Sequence, residues 1–102
     1  PQIPVVKMVM FSMDGCKVVT SQALDKKSKK DGTVQVRLKV WQADEGKLLY
    51  TLRDHSLPVF VLAVHPTDPR IFLSAGYDAK VFLWDLETGS KVKSFQVQFP
   101  LD

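Results

Sequence analysis

Trp41 and Trp84 stand 43 residues apart, and the residues around them match. Val36–Leu52 aligns with Ala79–Phe95, which sets Gly46 on Gly89 and Leu52 on Phe95 at the same offset. A repeat of this kind constrains a short chain more than composition does. Each copy is one supersecondary unit that cannot bury its own apolar surface, so the fold must build its core by stacking copies. Upstream, Phe11-Ser-Met-Asp-Gly15 matches Val64-His-Pro-Thr-Asp68 only if about 11 extra residues lie between Ala23 and Val36. That interval holds the run Leu24-Asp-Lys-Lys-Ser-Lys-Lys-Asp-Gly32, so composition and alignment agree on an insertion at 24–35.

Both copies read as strands. Runs rich in Val, Leu, Phe and Tyr fall at Val5–Phe11, Lys17–Ala23, Val36–Trp41 and Lys47–Leu52, then at Val59–Val64, Ile71–Ala75, Lys80–Trp84 and Lys91–Phe95. The breaks carry turn chemistry: Asp14-Gly15, Glu45-Gly46, His65-Pro-Thr-Asp-Pro69, Gly76-Tyr-Asp78 and Thr88-Gly89. No window shows a sustained i, i+3, i+4 apolar stripe. The chain is therefore expected to be all-β, with two four-stranded antiparallel units at 1–53 and 54–102. Val59–Val64 and Val81–Trp84 are almost uninterrupted apolar runs, which predicts strands covered on both faces. Lys91–Phe95 alternates, which predicts an outer strand with one wet face.

The second copy carries Asp54-His55, Ser74-Ala-Gly-Tyr-Asp78 and Trp84-Asp85, and in this it resembles the blades of WD-repeat β-propellers. The first copy departs from the pattern, with Trp41-Gln42 at the terminal dipeptide and Gln35 where the turn aspartate belongs. Leu38-Lys-Val-Trp41, Val59-Phe-Val-Leu62, His65-Pro66, Asp68-Pro-Arg70 and Ser74-Ala-Gly76 followed by Asp78 resemble the bromodomain-and-WD-repeat proteins, the PH-interacting protein group. The resemblance implies two four-stranded blades of a WD40 β-propeller. Propellers close with 4–8 blades, so two do not close a ring, and either the remaining blades or further copies of the chain complete it. A compact two-sheet sandwich or small barrel is the alternative if the chain is stable alone. The resemblance also implies chromatin and transcription regulation, a ubiquitin-ligase substrate-receptor role in some members, and a nuclear location with a cytoplasmic one as alternative. Acetyl-lysine reading does not carry over, because no bromodomain is present in these residues. Nor does the adaptor-docking signature Trp-Asp-x-Arg, since the two positions read Trp84-Asp-Leu-Glu87 and Trp41-Gln-Ala-Asp44.

Ser74, His55 and Asp78 are the residue types of a hydrolase triad. Ser74 nevertheless lies in Leu-Ser-Ala, not in a Gly-x-Ser-x-Gly elbow that would expose its hydroxyl. The resemblance assigns His55, Ser74, Asp78 and Trp84 to a structural hydrogen-bonded tetrad instead, and no enzyme is expected. Two histidines and a single cysteine, Cys16, offer no metal-ligand spacing, and no cofactor is expected. One cysteine cannot close an internal disulfide, which points to a reducing compartment. The longest apolar stretch, Leu57–Val64, is far short of the ~20 residues of a membrane-spanning helix. A soluble, intracellular piece of a larger protein with no membrane contact is the expectation.

The net charge of +3 is local. Lys26, Lys27, Lys29 and Lys30 cluster between Asp25 and Asp31 with no aromatic among them, the pattern of a solvated loop. In the propeller reading this loop joins the second and third strands, on the face where partners bind. Leu57 and Tyr77 on the neighbouring loops would supply apolar anchors. The expected function is a protein-interaction scaffold whose partners are other proteins or peptides. Nucleic-acid or acidic-partner binding through Lys26–Lys30 is the alternative.

Overall fold

Eight strands of alternating side chains need seven connections, and the turn residues supply them. A computed structural model describes residues 5–27 and 34–96. The strands are β1 (Val5–Phe11), β2 (Lys17–Lys27), β3 (Val34–Gln42), β4 (Lys47–Leu52), β5 (Val59–Val64), β6 (Ile71–Gly76), β7 (Lys80–Asp85) and β8 (Lys91–Gln96). They form two antiparallel sheets in the orders β1-β2-β3-β4 and β5-β6-β7-β8. Among the described residues there is no helix, and hence none long and apolar enough to cross a membrane.

The period of two decides which side chains meet. Val19, Ala23, Val36, Leu38, Val40 and Leu52 line one face of the first sheet, and it packs on the face of the second sheet that carries Phe72, Phe82 and Trp84. The result is one shared core in which those residues and Val59 and Leu86 are buried. At the outer rim the Tyr50 hydroxyl donates to the Glu87 carbonyl, and Lys91 Nζ lies 2.8 Å from Asp54 Oδ2. Gly89 sits beneath the Tyr50 ring at φ +70°, where a Cβ would be strained and would also fall on that ring.

Three sequence expectations need correction. The insertion at 24–35 is not entirely loop, because β2 continues to Lys27 and β3 begins at Val34, with Lys27 opposite Val34 after an irregularity past Ala23. Backbone pairing does not require apolar side chains, and beyond Ala23 and Val36 the ribbon has no neighbour in its sheet among the described residues, where β1 starts opposite Ala23 and β4 ends opposite Leu38. Lys26 and Lys27 thus lie in β2, while Lys29 and Lys30 lie outside the described residues. Secondly, β5 is covered on one side only: Val59 is buried, yet Phe60 and Ala63 are exposed. Thirdly, β8 is exposed throughout, including Val92 and Phe95. The exposure of β5 follows from stacking, since each sheet lends one face to the other and keeps its second face open, whereas β8, at the edge of its sheet, is exposed even at Ser94 opposite the buried Phe82.

Replacing Gly89 by Ala is expected to cost about 2 kcal/mol in chemical denaturation, through strain and the displaced Tyr50 ring. Ala79, the one non-glycine residue at positive φ (63°) among the described residues, behaves oppositely. Ala79→Gly is expected to raise stability by up to about 1 kcal/mol in the same measurement.

Candidate functional site

The strand directions bring the end of β4, the start of β5 and the β6–β7 turn to one end of the molecule, called here the upper end. His55 lies in the β4–β5 connection, Ser74 in the middle of β6, Asp78 in the β6–β7 turn and Trp84 near the end of β7. Their side chains form one chain. Trp84 Nε1 donates to Ser74 Oγ at 2.8 Å, Ser74 Oγ lies 2.8 Å from His55 Nε2, and His55 Nδ1 lies 3.2 Å from Asp78 Oδ2. Asp78 also accepts the Ser56 backbone N–H at 2.9 Å and the Lys80 N–H at 3.2 Å. The β4–β5 connection is thereby tied to the second sheet, and a Tyr77 N–H bond to the Pro58 carbonyl at 3.0 Å reinforces it.

The donors and acceptors fit one proton arrangement. Indole N–H only donates and a carboxylate only accepts. Nδ1 of His55 therefore carries the proton toward Asp78, and Nε2 accepts the Ser74 hydroxyl proton. Ser74 Oγ in turn accepts from Trp84. Every polar atom is satisfied with a neutral imidazole, as buried networks require. Burial lowers the His55 pKa below its ordinary value, and the attraction of Asp78 only partly opposes this. Burial alone would raise Asp78, but the N–H groups of Ser56 and Lys80, together with His55, hold its carboxyl below the usual carboxylate value.

This is the order of side chains found in a Ser-His-Asp triad, but access differs. Ser74 is 0% exposed, and its oxygen is already committed to Trp84 and His55, so a substrate carbonyl has no approach to it. The Phe82 ring packs against the His55 ring in a T-shaped arrangement, with centroids 4.7 Å apart. The arrangement can hold a loop rigid. It cannot present a nucleophile.

Leu57 and Tyr77 stand on the loops that this chain fastens. Leu57 is 37% exposed and Tyr77 70% exposed, and the ring of Phe60, itself exposed, lies 4.9 Å from that of Tyr77. β2 carries Lys26 and Lys27 toward the same upper end.

Sequence reasoning missed Gly76. A Cβ there would stand 2.8 Å from Asp78 Oδ1 and 2.9 Å from His55 Nδ1, so only glycine lets these two groups approach. The glycine within Ser74-Ala-Gly-Tyr-Asp78 was the available signal. It also missed the counterpart in the first sheet, where Trp41 Nε1 donates to Thr20 Oγ1 at 2.9 Å. Thr20 precedes Ser74 by 54 residues, the repeat offset once the insertion is counted, so the alignment contained that pair. Gln35 occupies the position of Asp78 in that copy, and the first sheet keeps half the network.

The comparisons with known proteins agree with this geometry. The family described as WD domain, G-beta repeat matches residues 46–85. That span takes β4 from one sheet and β5, β6 and β7 from the next. A bromodomain and WD repeat-containing protein of Dictyostelium discoideum is 38% identical over 63 residues, which are 62% of this chain and 3% of that protein. GID complex subunit 7 of Schizosaccharomyces pombe is 40% identical over 53 residues, 52% of this chain and 10% of that one. The Myceliophteria thermophila Cps50 (Swd1) β-propeller domain superposes with a TM-score of 0.68 at 25% identity, over 98% of this chain and 29% of that chain. The chain thus spans only a small part of the relatives it matches. Its two sheets are blades of a β-propeller, open and not a closed ring. Residues 46–85 match a WD repeat, and the chain is similar to WD-repeat propellers, the bromodomain-and-WD-repeat proteins among them; propellers of that kind typically serve as protein-interaction scaffolds.

Because the folded state holds His55 neutral, the unfolded chain binds more protons on the acid side. The stability contributed is complete above the ordinary imidazole pKa of about 6.5 and declines as pH falls below it toward the lowered folded value. Urea midpoints of the wild type should fall from pH 7 to 5 more steeply than those of His55→Asn. Gly76→Ala is expected to cost about 2–3 kcal/mol by separating His55 from Asp78. Unchanged melting of that variant would contradict the tight approach.

Proposed function

We propose that the chain is a non-catalytic protein-interaction scaffold, two consecutive blades of a propeller in a chromatin or transcription regulator or a ubiquitin-ligase substrate receptor. A nuclear location accompanies this reading, with a cytoplasmic one as its alternative. The division into a first blade over 1–53 and a second over 54–102 is part of the same proposal. Further blades of the parent protein, or further copies of the chain, cover the open sheet faces. The observation that carries the reading is the exposed Leu57 and Tyr77 on loops locked by the buried chain, with the exposed Phe60 of β5 beside Tyr77. Loops that do not reorganise lose little entropy on binding, and tyrosine gives area and a hydroxyl together.

The mechanism is presentation. Binding energy comes from side chains on the upper loops, while the tetrad His55, Ser74, Asp78 and Trp84 keeps those loops in place. A second reading rests on the β2–β3 ribbon, which extends past its sheet and carries Lys26 and Lys27. It makes the partner a nucleic acid or an acidic protein held by Lys26–Lys30, with affinity that falls steeply with salt.

The double variant Leu57→Ser, Tyr77→Ala in the full-length protein separates the readings. Quantitative affinity purification should show at least tenfold loss of specific co-purifying proteins, with an unchanged thermal melt. Lys26→Glu with Lys27→Glu should leave them in place. The opposite pattern would favour the lysine ribbon, and no change in either variant would contradict both.

A further inference from the structure

The β4–β5 connection and the last two strands of the second blade, β7 and β8, form a cleft. It lies between Asp54, in the β4–β5 connection, and the outer strand β8, and has a volume of about 330 Å³. Asp54, Lys80, Phe82, Lys91, Ser94 and Phe95 line it. Both walls belong to the described residues, so further blades are not needed to complete it. We infer that this cleft docks an extended acidic peptide segment of a partner protein, with alternating acidic and apolar side chains. The inference rests on the scaffold reading and names a partner chemistry for a surface away from the upper loops.

Charge carries the argument. The lining holds two lysines against one carboxylate. Lys91 Nζ lies 2.8 Å from Asp54 Oδ2, but both side chains are about two-fifths exposed, and an exposed pair of this kind is held weakly. Lys80 has no salt bridge among the described residues. An incoming carboxylate can therefore pair with Lys80, while a second one shares Lys91 with Asp54 or takes its place.

The rest of the cleft suits an extended chain. Phe82 lies beneath Lys91, whose Nζ is 4.8 Å from the ring centroid, and its packing on His55 and Trp84 fixes the floor. Phe95 is 43% exposed and offers an apolar contact at the lip. β8 ends its sheet, so alternate backbone N–H and C=O groups point outward and can pair with a strand laid alongside. An extended peptide turns alternate side chains to one side, so a row of acids on that side can face the lysines.

The test uses a fluorescein-labelled peptide of six residues alternating glutamate and leucine, read by fluorescence anisotropy against the full-length protein. Saturable binding is expected, at least tenfold weaker for the glutamine–leucine analogue and for the double variant Lys80→Glu, Lys91→Glu. Asp54→Asn should tighten binding severalfold. A lysine–leucine peptide should bind the charge-reversed double variant, which shows that the variant is folded and the contact direct. Equal affinity for the glutamine analogue, or binding that survives the double reversal, would overturn the assignment. So would loss only on Lys26→Glu with Lys27→Glu, or full competition by oligothymidylate. Should this fail while Leu57→Ser, Tyr77→Ala still loses its co-purifying proteins, the cleft assignment falls and the scaffold reading stands.

Discussion

A buried hydroxyl that must both give and take a proton organises the second blade. Ser74 Oγ can accept from Trp84 only because its own proton goes to His55, and His55 can accept only because its other nitrogen gives to Asp78. The direction of every bond is set by the two ends, an indole that only donates and a carboxylate that only accepts. Each link crosses a different boundary: β7 to β6, β6 to the incoming connection, and that connection to the β6–β7 turn. Removing any member leaves a desolvated partner unsatisfied, which costs more than the bond itself contributes. The network thereby fixes strand register and loop position in one step, and the exposed Leu57 and Tyr77 take their positions from it.

Stacking is the second constraint. The repeat places equivalent faces on both blades, and one pair of faces meets in the shared core. Leu73, Ala75, Val81 and Leu83, on the other face of the second blade, are the repeat counterparts of Val19, Ser21, Leu38 and Val40, which the first blade buries. On the first blade, the outward face carries Trp41, Thr20, Val9 and Phe11, as the buried face of the second carries Trp84 and Ser74. A unit of this kind is made to have a neighbour on each side. Tyr50 against Glu87 and Gly89 marks where the first blade grips the second at the rim.

Much of this was legible in the sequence. The offset between Trp41 and Trp84 dictated two equivalent units, and the turn residues located six of the eight strands to within a residue. β2 and β3 escaped because Lys26 and Lys27 are hydrophilic, whereas the ladder that holds them depends on the backbone. The exposure of Phe60 was illegible for a different reason: an apolar run tells what a strand would bury, not which neighbours are present. His55, Ser74, Asp78 and Trp84 could be named from their motif, but the approach that Gly76 permits and the proton direction required coordinates. The acidic-peptide cleft was invisible in sequence, since Asp54 and Lys91 are 37 residues apart and meet only when the β4–β5 connection folds beside β8.

The protonation state of His55 tests the account most directly. Long-range nitrogen–proton correlation spectra of its imidazole across pH 4 to 8 report tautomer and charge together. The account predicts a neutral ring with the proton on Nδ1, persisting well below the pH at which a free histidine titrates. A proton on Nε2, or titration at the ordinary imidazole value, would mean that Ser74 and Asp78 are not joined through His55 and that the upper loops are held by something else.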